Sequence, residues 1–295
     1  MSANERHGRS FQVPLVCASA SGRWRTLRVP ALPRTLARGA SERRALALAA
    51  WKDGPRGSVS HTGRKHLTWV PGSEAMETVL SFEYDHRHEM PQGHDEIRTP
   101  DALVEHFLRE YTDPGDRVFD PFAGFGTTLR TAERLDRVPY GIEYEPDRVE
   151  YVRDKLDGGE VRNADVLELD ADAFPACELA FTSPPFCVEG MERNPFENYA
   201  GESTYAEYLD DAATAFANVA DVLAPGGHLV IEVVNMRHDG EVTTLAWDLA
   251  DSAAESLAFR GEVVVAWEGD GYPDREGSYG YGFDHSYCLV FENPA

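Results

Sequence analysis

Lysine is nearly absent from this 295-residue sequence: it occurs only at Lys52, Lys65 and Lys155, and arginine supplies the remaining cations. Cysteine is scarce as well. Cys17, Cys177, Cys187 and Cys288 include no closely spaced pair, which argues against a zinc site or a secreted disulfide framework and favours a reducing, cytoplasmic setting. No apolar run approaches the roughly 20 residues that a membrane helix needs, so a soluble protein is expected. No Gly-Lys-Ser/Thr occurs, which disfavours a phosphate-binding loop.

Net positive charge is confined to one end. Residues 1–75 carry 13 Lys+Arg against 4 Asp+Glu, a net of +9, while the rest carries 15 against 47, a net of −32. The first stretch is rich in Arg, Ser, Gly and Pro and has little helical or strand periodicity, so it reads as a basic, disordered extension. A start at Met76, a nucleic-acid-binding arm and a targeting segment all fit that composition. Residues 76–295 form the expected domain. An acidic, lysine-poor body suits a high-salt cytoplasm, where the screening length falls to roughly 3 Å at 1 M salt; an ordinary acidic enzyme is the blander reading.

From Met76 onward, short apolar runs alternate with helical patterns. Helices are expected over Pro100–Leu108, with Thr99 as cap, and over Thr127–Leu135, Arg148–Leu156, Tyr205–Leu223 and Thr243–Phe259. Strands are expected at Arg117–Asp120, Tyr140–Glu143, Glu160–Arg162, Leu179–Thr182, His228–Val234, Gly261–Trp267 and Tyr287–Phe291. That order predicts an α/β fold: a doubly wound, mostly parallel, seven-stranded Rossmann-like sheet.

Two loops at strand ends carry chemistry. In Asp120-Pro121-Phe122-Ala123-Gly124-Phe125-Gly126-Thr127-Thr128, the glycines permit positive φ and close backbone approach, which suits a nucleoside cofactor. Glu143 at the next strand end can accept from ribose hydroxyls, and Asp165 after the third strand can accept from an adenine amino group. The third glycine of a dinucleotide fingerprint is missing at its usual offset. In Thr182-Ser183-Pro184-Pro185-Phe186, Ser183 Oγ and the Pro184 carbonyl can accept from a planar amino group, Pro185 stiffens the turn, and Phe186 can stack on a base. Cys187 follows Phe186 rather than proline and reads as packing. His86, His88 and His94 lack partners at metal-ligand spacing, so no metal is expected.

The pair Asp120-Pro-Phe-Ala-Gly-Phe-Gly-Thr-Thr128 and Thr182-Ser-Pro-Pro-Phe186 resembles the amino-methylating DNA methyltransferases, in particular their N4-cytosine branch. The resemblance runs from about His86 to Phe291. It implies S-adenosylmethionine as cofactor, DNA as substrate, and a methionine-end contact from the segment His94–Pro100, hence Thr99 and Pro100. Ser183 at the first position implies cytosine N4 over adenine N6 by the same resemblance. An RNA enzyme methylating guanine N2 usually shows Asp-Pro-Pro-Tyr, and a protein-glutamine enzyme Asn-Pro-Pro-Tyr. A non-catalytic relative is a further alternative, against which the intact Asp120, Gly124, Glu143, Ser183 and Pro184 weigh.

Overall fold

The computed structural model describes residues 77–88, 90–91, 98–268 and 285–294, together with the backbone of two short strands, β1 (Val16–Ala18) and β2 (Trp24–Thr26). The chain divides into two units, Met1–Pro71 and Gly72–Ala295. In the first, β1 and β2 pair antiparallel; the rest of the expected basic extension lies outside the described residues.

The second unit is built on a sheet of eight strands in the order β3-β11-β12-β8-β7-β4-β5-β6. These are β3 (Val79–Glu83), β4 (Arg117–Asp120), β5 (Val138–Glu143), β6 (Glu160–Asn163), β7 (Cys177–Thr182), β8 (Leu223–Val233), β11 (Ala258–Glu268) and β12 (His285–Glu292). All neighbours are parallel except at β12, which runs against both β8 and β11. A small antiparallel pair, β9 (Met236–His238) and β10 (Glu241–Thr243), follows β8.

Alternation along the strands divides the core between the two faces of the sheet. Val118, Leu179, Phe181, Val230 and Val290 pack with Leu103, Phe107 and Leu108 of helix α1 (Asp101–Tyr111). Their neighbours Phe119, Ala180, Leu229, Ile231 and Phe291 pack with Phe216 of α4 (Tyr205–Val222) and Leu249 of α5 (Leu245–Ala253). Helices α2 (Thr127–Arg134) and α3 (Pro146–Lys155) enclose a third cluster around Leu129 and Val152. Each fully buried Leu or Phe contributes roughly 1.5–3 kcal/mol of transfer free energy.

Several details depart from the sequence expectations. Strand β3 adds an edge beside β11; its single buried side chain, Leu80, gave little pattern to read. Helix α5 ends at Ala253, and β11 begins at Ala258, because pairing of Ala258 with Glu292 prevails over helical propensity. A register shift at Gly261, with φ +145°, lets the strand continue. Strand β8 starts at Leu223 and runs through Pro225-Gly226-Gly227, since Asn293 exchanges backbone bonds with Gly226 and Gly227 and its amide donates to Leu223. Finally, Thr99 does not cap α1: Pro100 holds that position without a side-chain cap, and the Thr99 hydroxyl turns to Glu232.

Candidate active site

Strands β4 and β7 lie side by side at the point where the strand order reverses, which is where an open α/β sheet leaves a crevice beyond its carboxyl edge. Their ends are tied together. The buried Asp120 carboxylate accepts from the Phe122 backbone N–H at 3.0 Å and from Thr182 Oγ1 at 2.8 Å. Burial pushes this carboxyl up to about 6, against the pull of those donors and of the Thr128 hydroxyl.

The glycine loop then turns into α2. Gly124 has φ +53° and donates its N–H to Glu143 Oε2 at 2.8 Å, so the acidic residue ending β5 holds the loop directly. Gly126, at φ +82°, caps α2; a Cβ there would stand 3.0 Å from the Val152 methyls. Only glycine combines that backbone with that space. The first N–H groups of α2, at Thr127 and Thr128, present a helix N-terminus toward the crevice.

Glu143 Oε1 also accepts from the Glu145 backbone at 2.9 Å, which locks its carboxylate. Asp165 caps a short 3-10 turn by accepting from the Leu167 N–H at 2.9 Å. After β7, Pro184 is buried, Ser183 is exposed, and Phe186 is 47% exposed. The buried Tyr208 of α4 donates its hydroxyl to the Pro185 carbonyl at 3.1 Å and stacks on Phe196, so a rigid helix supports the turn from below. Cys187 is buried; burial pushes its thiol up, in keeping with packing.

These pieces surround one cavity of about 460 Å³. Thr99, Asp120, Pro121, Phe122, Gly124, Thr127, Thr128, Glu143 and Asp165 line it together with Ser183, Pro184, Pro185 and Phe186. Pro100 and Gly126 do not; they shape the wall from behind as the caps of α1 and α2. The cavity has further walls that the motifs did not announce. Tyr84 and Arg98 line one side, joined by a 3.0 Å bond from the Tyr84 hydroxyl to the Arg98 carbonyl. Arg148 and Tyr199 line another, and Tyr199 and Asn198 both sit at left-handed φ, a strained turn for a tyrosine.

Glu232 is a further lining residue that the motifs did not announce. It lies on the cavity wall and accepts from Thr99 Oγ1 and, at 3.5 Å, from Ser286 Oγ. Burial pushes its carboxyl up to about 7, partly offset by those two hydroxyls. The available signal was one acid inside the apolar run Leu229-Val230-Ile231-Glu232-Val233-Val234.

His88 Nδ1 stands 2.5 Å from the buried Asp101 carboxylate, and burial lowers the pKa of both His86 and His88; His94 lies outside the described residues. No group of three or more metal-binding side chains forms among the described residues. His285 contacts the Tyr287 hydroxyl at 3.2 Å, while the loop before it lies outside the described residues. Asn194 is buried and donates to Asp211, so the segment after the Ser-Pro-Pro turn is anchored to α4.

A family model described as DNA methylase, of the N6/N4 amino type, matches residues 42–154. Over those residues the chain is similar to amino-methylating DNA methylases. The match contains the glycine loop and Glu143, and ends before the Ser-Pro-Pro turn. The type II methyltransferase M.BglII of Bacillus subtilis is 37% identical over 73 residues, covering 25% of this chain and 20% of that protein. The type II methyltransferase M.XycI of Xanthomonas campestris pv. cyanopsidis is 35% identical over 72 residues, covering 24% and 23%. The chain thus spans about a fifth of the length of the curated relatives it matches. Among solved structures, the N-methyltransferase NodS of Bradyrhizobium japonicum, in complex with S-adenosyl-l-homocysteine, aligns with TM-score 0.44 at 14% identity over 66% of this chain and 86% of that one. No helix among the described residues is long and apolar enough to cross a membrane.

Proposed function

We propose that this protein methylates an exocyclic amino group of a base in DNA, with cytosine N4 as the target and S-adenosylmethionine as donor. The observation that carries the reading is the shared cavity. A glycine loop, two fixed carboxylates and a helix N-terminus stand on one side of it, and Ser183 to Phe186 stand on the other.

The residues fit an amino-acid-bearing nucleoside. Glu143 and Asp165 are held by backbone N–H groups and keep lone pairs for ribose and adenine donors. The left-handed turn at Gly124 brings backbone without a side chain to the cradle, and Thr99, Thr127 and Thr128 line it at the amino-acid end. When bound, S-adenosylmethionine supplies an electrophilic methyl on a sulfonium leaving group.

On the other side, Ser183 Oγ and the Pro184 carbonyl accept the two amino hydrogens of the target. This favours a pyramidal nitrogen whose lone pair is less delocalised into the ring. Buried Pro184 and the Tyr208 clamp on Pro185 fix those acceptors before substrate arrives, and half-exposed Phe186 offers its face for stacking on an extruded base.

The test is transfer of radiolabelled methyl to DNA and to transfer RNA in parallel, with nucleoside analysis of the product. N4-methylcytosine in DNA is the expected outcome. N6-methyladenine would retain the amino-methylating chemistry and change the base, and label confined to RNA would overturn the substrate assignment. Ser183→Ala is expected to lower turnover by about 10²–10³, the usual cost of one preorganised hydrogen-bonding group, while cofactor affinity stays within a factor of about two. Undiminished turnover in that variant would exclude the loop chemistry.

A further inference from the structure

We propose that Glu232 orients the Thr99 hydroxyl on the cavity wall and thereby governs capture of the carboxylate end of the cofactor. The inference rests on the cofactor reading above.

Thr99 Oγ1 and a Glu232 oxygen are in close hydrogen-bonding contact, and both residues line the cavity. One hydrogen lies between the two oxygens, and its owner decides what Thr99 offers the ligand. When Glu232 is a carboxylate it can only accept, so Thr99 must donate to it and turns lone pairs toward the cavity. When Glu232 is a neutral acid, its own O–H can donate to Thr99 Oγ1. The threonine hydrogen is then free to point into the cavity, where an amino-acid carboxylate is a pure acceptor. The ionised form also sets a second negative charge beside that carboxylate. The neutral form of Glu232 is therefore the binding-competent one.

The surroundings favour that form. Glu232 is faced by the Ser286 hydroxyl and the buried Cys288 thiol on β12, and by Thr99 on the segment before α1. None of the three brings a compensating cation. Elsewhere around the cavity stand Asp120, Glu143, Asp165, Arg98 and Arg148, of which Asp120 titrates in a neighbouring range. Titration of Asp120 is separated from that of Glu232 by substituting Glu232 alone.

Calorimetric affinities of S-adenosylhomocysteine and of adenosine are measured on the full chain between about pH 5.5 and 8.5. Wild-type affinity for S-adenosylhomocysteine is expected to fall by about tenfold above neutral pH, the scale of one pK unit of coupling. Adenosine, which lacks the carboxylate, is expected to bind without that step. Glu232→Gln keeps an N–H donor toward Thr99 and is expected to hold the low-pH affinity across the range. Thr99→Val, with Glu232 intact, is expected to bind more weakly and to show a shallower step. A flat wild-type profile, or a step that survives Glu232→Gln, overturns the proposal while leaving the cofactor reading standing. Failure of both ligands to bind overturns the two together.

Discussion

At the scale of single residues, the bond from Thr182 to Asp120 is the joint of the candidate site, because it binds the end of β7 to the end of β4. Thr182→Val removes one donor from a buried carboxylate and is expected to lower unfolding free energy at pH 8 by about 1–3 kcal/mol, read by urea denaturation. The pH dependence has a defined sign. Asp120 is raised from 3.8 to about 6 in the folded protein, so the folded state binds its proton more readily. Its contribution to stability is present below pH 4 and is lost as pH rises toward 6. In Thr182→Val that loss should continue to higher pH, so the deficit shrinks on acidification; a deficit independent of pH would refute this account. The motif residues were legible because each combines a residue type with a strand end. Glu232 was not, since its role depends on Thr99, which lies 133 positions away.

At the scale of elements, α4 fixes the Ser-Pro-Pro turn through a side chain placed 23 positions further along. A capping box at Thr204 and Glu207 sets its start, and Tyr208 one turn later reaches the Pro185 carbonyl. Tyr208→Phe keeps the stacked ring and leaves that carbonyl without its donor. It is expected to cost about 1–3 kcal/mol of stability and to lower turnover while cofactor affinity is unchanged, measured by thermal unfolding and by single-turnover kinetics. A parallel fall in cofactor affinity would place the damage in the glycine loop instead. Strand interiors such as Val118-Phe119 and Leu229-Val230-Ile231 were readable, because burial on both faces demands apolar runs. The ends of β8 and α5 were not, because Asn293 and Glu292 decide them from the far end of the chain.

At the scale of the molecule, a net charge of −23 is largely self-repelling. Exposed pairs such as Arg109–Glu105 and Arg162–Glu160 relieve little of it, as each contributes roughly 0–1 kcal/mol. Screening by potassium chloride should therefore stabilise the fold and ease the approach of the DNA substrate proposed above to an acidic surface. The melting temperature is expected to rise between about 0.1 and 1 M salt, where the screening length falls from roughly 10 to 3 Å. A falling or flat melting temperature would remove the high-salt reading of the composition.

The edge strand β3 leads to the Tyr84–Arg98 wall of the cavity, yet it is held by β11, as in the contact between Ser81 and Glu268 across 187 positions. For a chain emerging from the ribosome, the first strand of the large sheet to be made is thus among the last to be placed. The glycine loop and the Ser-Pro-Pro turn are made while that wall is still unattached. The Tyr84–Arg98 wall of the cavity is therefore fixed only after β11 has been made, later in synthesis than the glycine loop and the Ser-Pro-Pro turn that it faces.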